Sequence, residues 1–212
     1  MNITEVIANE ATQSTDTILN ASAAFRNLAV SLIRIANGLR LLSSGPGTGF
    51  GENNLPQVQP GSSIIPGKVN PVMAKILNMA CFQVIGNDTG VMMAAQGRQL
   101  ELNVFTPVVA HNILKSIEIL TGAICSFNER CLRLITVNEE NCSKLAESSL
   151  ALVTALVPEI GYEKAAEVAQ EAFRENRSIK ITVIEPGLLL ERDASRILDP
   201  LKLTELTDKN NP

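Results

Sequence analysis

Apolar side chains recur at Ile18, Ala21, Phe25, Leu28, Leu32, Ile35, Leu39 and Leu42, alternately three and four residues apart. That alternation is an a/d seam and predicts one long helix. Ala29, Val30, Ile33 and Ala36 widen the apolar surface, so this helix meets several neighbours. SSGPGTGFGE, Ser43 to Glu52, ends it, because Gly and Pro extend a helix only at a cost. A second helix is predicted over Val72–Ala95, apolar on nearly every side, as in the middle of a bundle. Asn70 would cap it, with Pro71 in its first turn. A third pattern runs from about Leu100 to Leu134, with a kink expected at Pro107.

The pattern shortens after Ile135. Asn138, followed by Glu139 and Glu140, starts a helix expected to end near Leu156, before breaks at Pro158 and Gly161. Another helix is predicted over Glu163–Glu175, with turns at Pro186-Gly187 and Asp199-Pro200. The expected fold is all-α. Residues 1–136 form part of a long-helix bundle, and residues 137–212 a small helical C-terminal domain. Three long helices with wide apolar faces leave much surface wet in a monomer, so other chains or a missing N-terminal half must cover them.

Composition narrows the function. The chain has 212 residues, a net charge of −4 and only 3% aromatics, which suits helices packed by aliphatic side chains. Net acidity without a basic stripe argues against nucleic acid as a partner. Cys81, Cys125, Cys131 and Cys142 show no CxxC spacing, which fits a reduced, cytoplasmic setting. His111 is the sole histidine, so no metal site is expected. The N-terminal MNITEVIANEATQSTD has no signal-peptide character, and Asn87 and Asp88 interrupt the most apolar stretch, Met79–Ala95. A membrane partner is therefore not expected.

The chemistry concentrates in GSSIIPGKVNP, Gly61 to Pro71. Lys68 and the Asn70 amide beside a Gly-rich turn can bind a carboxylate by charge and hydrogen bonds. Ser62 and Ser63 can donate hydroxyls, or one can act as a base if positive charge lowers its pKa. The same composition also suits a Gly/Pro turn whose hydroxyls cap backbone groups. Elsewhere, His111 reads as a core or interface residue, Cys81 as packing, and Glu139 and Glu140 as a helix N-terminus. Lys144 and Glu147 read as a solvated face, and Arg26, Arg34 and Arg40 as interfacial.

GSSIIPGKVNP resembles the signature loop of the fumarase/aspartase superfamily, GSSxMPxKxNP, with Ile65 in place of Met. LRLLSSGP, VIGNDT, QLELNVFTPV, SLALVTALVPEIGYEKAAE and PGLL resemble the same family in the same order. The likeness covers nearly the whole chain but only the C-terminal half of a full-length member. ATQSTD, LLSSGP and NPVM bring it closer to aspartate ammonia-lyases than to fumarases. The resemblance implies β-elimination of L-aspartate to fumarate and ammonia, with no cofactor. Ser62 would be the base, and Lys68, Asn70 and Ser63 would bind the dicarboxylate substrate. The loop would be a mobile lid, and the active site would be shared among subunits of a homotetramer.

A fumarate hydratase-like lyase and an inactive oligomerising fragment are the alternatives. Two positions depart from the family: Lys75 stands where a Glu partners a histidine, and Gly47 where an Arg is usual. Alone, the chain is expected to lack turnover.

Overall fold

The computed structural model describes residues 3–4, 13–45, 47–59, 61, 65, 70–100 and 102–204. They form an all-α fold divided into two compact units, Met1–Val137 and Asn138–Pro212.

The first unit is built on α1 (Asp16–Leu42), α2 (Val72–Gln96) and α3 (Thr106–Arg130). Helix α2 runs between the other two and packs along both, while α1 and α3 meet only slightly. The residues of α1 that disappear from solvent are Ser22, Ala29 and Ala36, one heptad apart. The expected seam is different: Ile18, Leu28 and Ile35 are exposed, and Phe25, Leu32 and Leu39 are only partly buried. The reason is steric. Small side chains let the backbones of α1 and α2 approach, while the larger ones flank the contact. Met73, Ala74, Leu77, Cys81 and Val84 of α2 complete the core with Leu120, Ala123 and Phe127 of α3. Each large side chain in it contributes about 1.5–3 kcal/mol by leaving water.

Helix α2 is not buried all round. Ile76, Met79, Phe82 and Met93 form an uncovered face, with Met79 60% and Phe82 58% exposed. The helical stretch Thr106–Leu134, α3 and the turn after it, is apolar and long enough to cross a membrane by length and composition, and little of it is buried in this chain.

Pro107 does not kink the third helix; it lies in the first turn of α3. A proline is tolerated there because the first N–H groups of a helix have no intrahelical acceptor. The chain before it is held by buried Asn103, whose Nδ2 donates to the Ala94 carbonyl at 3.3 Å while its Oδ1 accepts from Phe105 N at 2.9 Å. Past α3 come a 3₁₀ turn, Leu132–Leu134, and a two-residue strand β2 (Thr136–Val137), antiparallel to β1 (Asn53–Asn54).

The second unit comprises α4 (Glu139–Glu147), a 3₁₀ stretch Leu150–Leu156, α5 (Val157–Ile160), α6 (Tyr162–Glu175), α7 (Ile179–Ile184), α8 (Glu191–Ile197) and α9 (Pro200–Thr204). Asn138 Oδ1 caps α4 by accepting from Asn141 N at 3.2 Å. The helix expected to reach Leu156 stops at Glu147. Ser148 Oγ donates back to the Leu145 carbonyl and Ser149 Oγ accepts from Ala151 N. Hydroxyls that bond their own backbone in this way compete with the helical ladder. Leu152, Leu156, Val168, Ile179, Val183 and Leu198 form a separate core.

Candidate active site

Ser62, Ser63 and Lys68 lie outside the described residues; the structure describes the signature loop at Gly61, Ile65, Asn70 and Pro71. What it shows in detail is the frame from which that loop leaves: the end of α1, the turn after it, and the start of α2.

At the loop's far end, Pro71 rather than Asn70 occupies the cap position of α2, and no side chain caps this helix. Pro71 has φ −76° and ψ 64°, and Val72 N donates to the Asn70 carbonyl at 2.8 Å. Those angles define an inverse γ-turn. The expected Asn70 cap is therefore replaced by a tight turn on its main chain, and the half-exposed Asn70 amide is not committed to holding the helix. That leaves it chemically able to bind a carboxylate.

At the near end, Ser44 closes the turn that follows α1. Its Oγ donates to the Leu41 carbonyl at 2.6 Å and accepts from Phe50 N at 3.1 Å, and its carbonyl accepts from Gly51 N at 2.8 Å. A Cβ at Gly49 would run into the Ser44 backbone, so glycine is required there. Gly47 has φ +80°, a conformation in which L side chains are strained. The backbone at the position of the family's Arg is thus shaped for glycine.

Near these two ends lies a half-buried polar knot that composition does not announce. Asn78 Nδ2 donates to Asn37 Oδ1 at 2.8 Å, and Arg40 Nη1 donates to the same oxygen at 3.2 Å. Arg40 Nε, Asn78 Oδ1 and Asn53 Oδ1 are buried without hydrogen-bond partners. The knot ties the last turns of α1 to the second turn of α2 and so orients the helix that carries Asn70. Further along α2, Asp88 accepts from Ser22 Oγ at 2.6 Å and pairs with Arg26 Nη1 at 3.1 Å. Asn87 donates to Ser116 Oγ of α3 at 3.0 Å. A usable signal was present: Asn78, Asn87 and Asp88 interrupt an apolar helix, and a spacing of nine residues puts Asn87 on the side opposite Asn78, so that polar groups of α2 meet α1 on one side and α3 on the other.

Arg26 and Arg40 make intrachain contacts, and Arg34 is exposed. His111 is exposed on α3, so it is not a core residue of this chain. Lys75 is exposed in the first turn of α2. Glu139 and Glu140 lie in the first turn of α4, where carboxylates favour the helix dipole, and Lys144 and Glu147 are exposed. Cys81 is fully buried, and burial pushes its thiol pKa up, as it does for Cys131; both are packing residues rather than nucleophiles.

Known proteins share this frame. A family model described as lyase matches residues 2–86, and one described as the fumarase C C-terminus matches residues 152–205. An aspartate ammonia-lyase of Helicobacter pylori is 48% identical over 198 residues, covering 92% of this chain and 42% of that protein. A class II fumarate hydratase of Oceanobacillus iheyensis is 46% identical over 191 residues, covering 90% and 41%. The crystal structure of fumarate lyase:delta crystallin from Brucella melitensis superposes with a TM-score of 0.90 at 47% identity, over 93% of this chain and 43% of that one. The chain thus spans about two fifths of the length of the relatives it matches. From both ends of the sequence and from the helical frame between them, the chain belongs to the fumarase/aspartase superfamily, of which it represents the C-terminal part.

Proposed function

We propose that this chain carries the base-bearing loop of a lyase that eliminates ammonia from L-aspartate to give fumarate. The observation that carries the reading is the Gly61–Pro71 signature, in a chain 48% identical to an aspartate ammonia-lyase. In this mechanism Ser62 removes the proton next to a carboxylate. The carbanion is held as an aci-carboxylate bearing two negative oxygens, which calls for donors already in place. Lys68, Asn70 and Ser63 supply them, and the free Asn70 amide at the start of α2 supports that role. Ammonia then leaves from the neighbouring carbon. Closure of the loop would exclude water and strengthen each of these contacts.

The remaining substrate contacts belong, in this reading, to the part of the relatives that this chain does not span, and to other subunits of a homotetramer. The uncovered faces of α2 and α3 support assembly. Among the described residues Cys81, Cys125, Cys131 and Cys142 form no disulfide, which suits the reducing cytoplasm. Hydration of fumarate is the second reading, favoured by the 46% identity to a class II fumarate hydratase.

The test is complementation. The 212-residue chain is assayed for fumarate from L-aspartate and from L-malate, alone and with the N-terminal part of the Helicobacter pylori aspartate ammonia-lyase. The expected result is no turnover alone and aspartate turnover in the complex, lowered by several orders of magnitude in Ser62→Ala. Preference for malate would replace the first reading by the second, and full activity of Ser62→Ala would remove Ser62 as the base. The same complex tests Lys75. If a histidine of the supplied N-terminal part faces it, Lys75→Glu restores the family's pairing and raises the rate, tenfold for each 1.4 kcal/mol or so recovered.

A further inference from the structure

The second unit holds a cavity of about 200 Å³ that the proposed reaction does not use. It gathers residues from distant parts of the sequence: Glu147 at the end of α4, Leu152 of the 3₁₀ stretch, Lys180 of α7, and Leu198 and Asp199 after α8. Its floor is apolar and firm, since Leu152 and Leu198 belong to the buried core of the unit. Its rim carries charges of both signs, Lys180 against Glu147 and Asp199. Among the described residues no ion pair within 4 Å joins Lys180 to either acid. Elsewhere in the same unit the charges do find one another: Arg177 pairs with Glu175 and Glu185, and Arg196 with Asp193.

Opposite charges that line one small cavity without meeting across it offer a ligand two complementary contacts. An anion alone would suit Lys180 but face two carboxylates, and a simple ammonium ion would leave Lys180 unanswered. A molecule with a carboxylate and an ammonium group a few ångströms apart answers both. We propose that this cavity binds a small zwitterion, an α-amino acid with a short side chain. The carboxylate lies toward the Lys180 ammonium and the nearby Ser178 and Ser195 hydroxyls, the amino group toward Glu147 and Asp199, and Leu152 and Leu198 form the floor. Asp199 Oδ1 already accepts from Leu201 N at 3.1 Å, which holds this carboxylate in place. The volume limits the ligand: pockets for drug-sized molecules run to about 300–1,000 Å³, and this one is smaller. The site is independent of the signature loop, and the proposal stands whether or not the chain contributes to a lyase.

Calorimetric titration of the full chain with glycine, L-alanine and L-serine tests it, with acetate and methylamine as single-charge controls. The expected result is saturable binding of at least one amino acid, and at least tenfold weaker binding of both controls. Lys180→Met and Glu147→Gln should each weaken that binding at least tenfold. Both side chains are exposed, so the helical circular dichroism and the melting temperature should stay as in the parent. Absence of saturable binding up to tens of millimolar would overturn the proposal. Methylamine binding equal to glycine would replace it with a plain cation site, and binding unchanged in both variants would place the ligand elsewhere.

Discussion

The two units of this chain solve the burial problem in opposite ways. The C-terminal unit folds short helices around a closed core of its own, with Leu156 and Val183 fully buried. The bundle unit spends long helices on a core that is closed on one side only: α2 buries Leu77, Cys81 and Val91 completely yet leaves Met79, Phe82 and Met93 more than half exposed. Both are helical and aliphatic, so composition does not separate them. The difference lies in the arc of helix that is apolar. A helix with one apolar stripe can be satisfied by its own chain, whereas one apolar on several sides needs neighbours beyond it. The bundle is thus built to be covered, whereas the C-terminal unit closes a core of its own even though Phe173, Leu190 and Leu201 stand about three quarters exposed.

The largest break in that comparison comes from charging the bare face. Met79→Lys combined with Met93→Lys puts two ammonium groups where apolar cover is required, and an unpaired buried charge is very unfavourable. The expected outcome is complete loss of self-assembly, read as the mass from light scattering, with the C-terminal unit still folded. A parent chain that is already a monodisperse monomer at micromolar concentration would refute the comparison at its root. So would a double variant that assembles normally.

Next in size is a cut into the other core. Leu156 is fully buried, and Leu156→Ala should destabilise the C-terminal unit by about 2–5 kcal/mol through lost transfer energy and the cavity left behind. The assembly state should not change. Thermal unfolding followed beside light scattering checks both halves of the statement. A variant that melts normally but dissociates would mean that this unit, too, depends on its neighbours.

How much of this could be read beforehand depended on whether periodicity or a particular hydrogen bond decided the outcome. The three long helices follow from spacing that nothing competes with, and α1 and α2 begin and end within two residues of their expected limits. Spacing did not reveal which stripe of α1 meets α2, because Ser22, Ala29 and Ala36 are selected by closeness of approach rather than by hydrophobicity. At the start of α3 the sequence leaves Pro107 open to either a kink or a first turn, and the two bonds of Asn103 decide between them. The helix after Asn138 is shorter than its apolar pattern suggests because Ser148 and Ser149 end it through their own hydroxyls. At the candidate site, the signature supplied the chemistry as a string of residues. The Asn37–Arg40–Asn78 knot depends on three side chains from two helices meeting in space, so no single stretch contains it.

A smaller effect probes how α2 is tied to α1. Asp88→Ala removes the acceptor of Ser22 Oγ and the partner of Arg26 together, and should lower the stability of the bundle unit by about 1–3 kcal/mol. Arg26→Ala should lower it by less than about 1 kcal/mol, because the Arg26 side chain is 43% exposed and water already screens the pair. Urea unfolding of both variants gives the comparison. Equal losses would show that the ion pair, rather than the buried Ser22 bond, carries the contact.

The smallest effect is a pH dependence that belongs to the bundle alone. Cys81 and Cys131 lie in its core, and burial raises both thiol pKa values above the ordinary one of 9.0. A raised pKa means that the folded state holds the thiol proton more tightly than the unfolded chain does. The corresponding stability is fully present below the unfolded pKa and is lost as pH rises through the folded value. Unfolding of the bundle should therefore become easier above about pH 9, and Cys81→Ser with Cys131→Ser should remove that slope while lowering stability at neutral pH. Thiol labelling reads the same burial more directly. Cys125 is exposed and should react with a maleimide in the native protein, whereas Cys81 and Cys131 should react only on unfolding. Fast native labelling of Cys81 would mean that the core between α1, α2 and α3 opens readily, and the bundle unit would then lack even the half-closed core assigned to it.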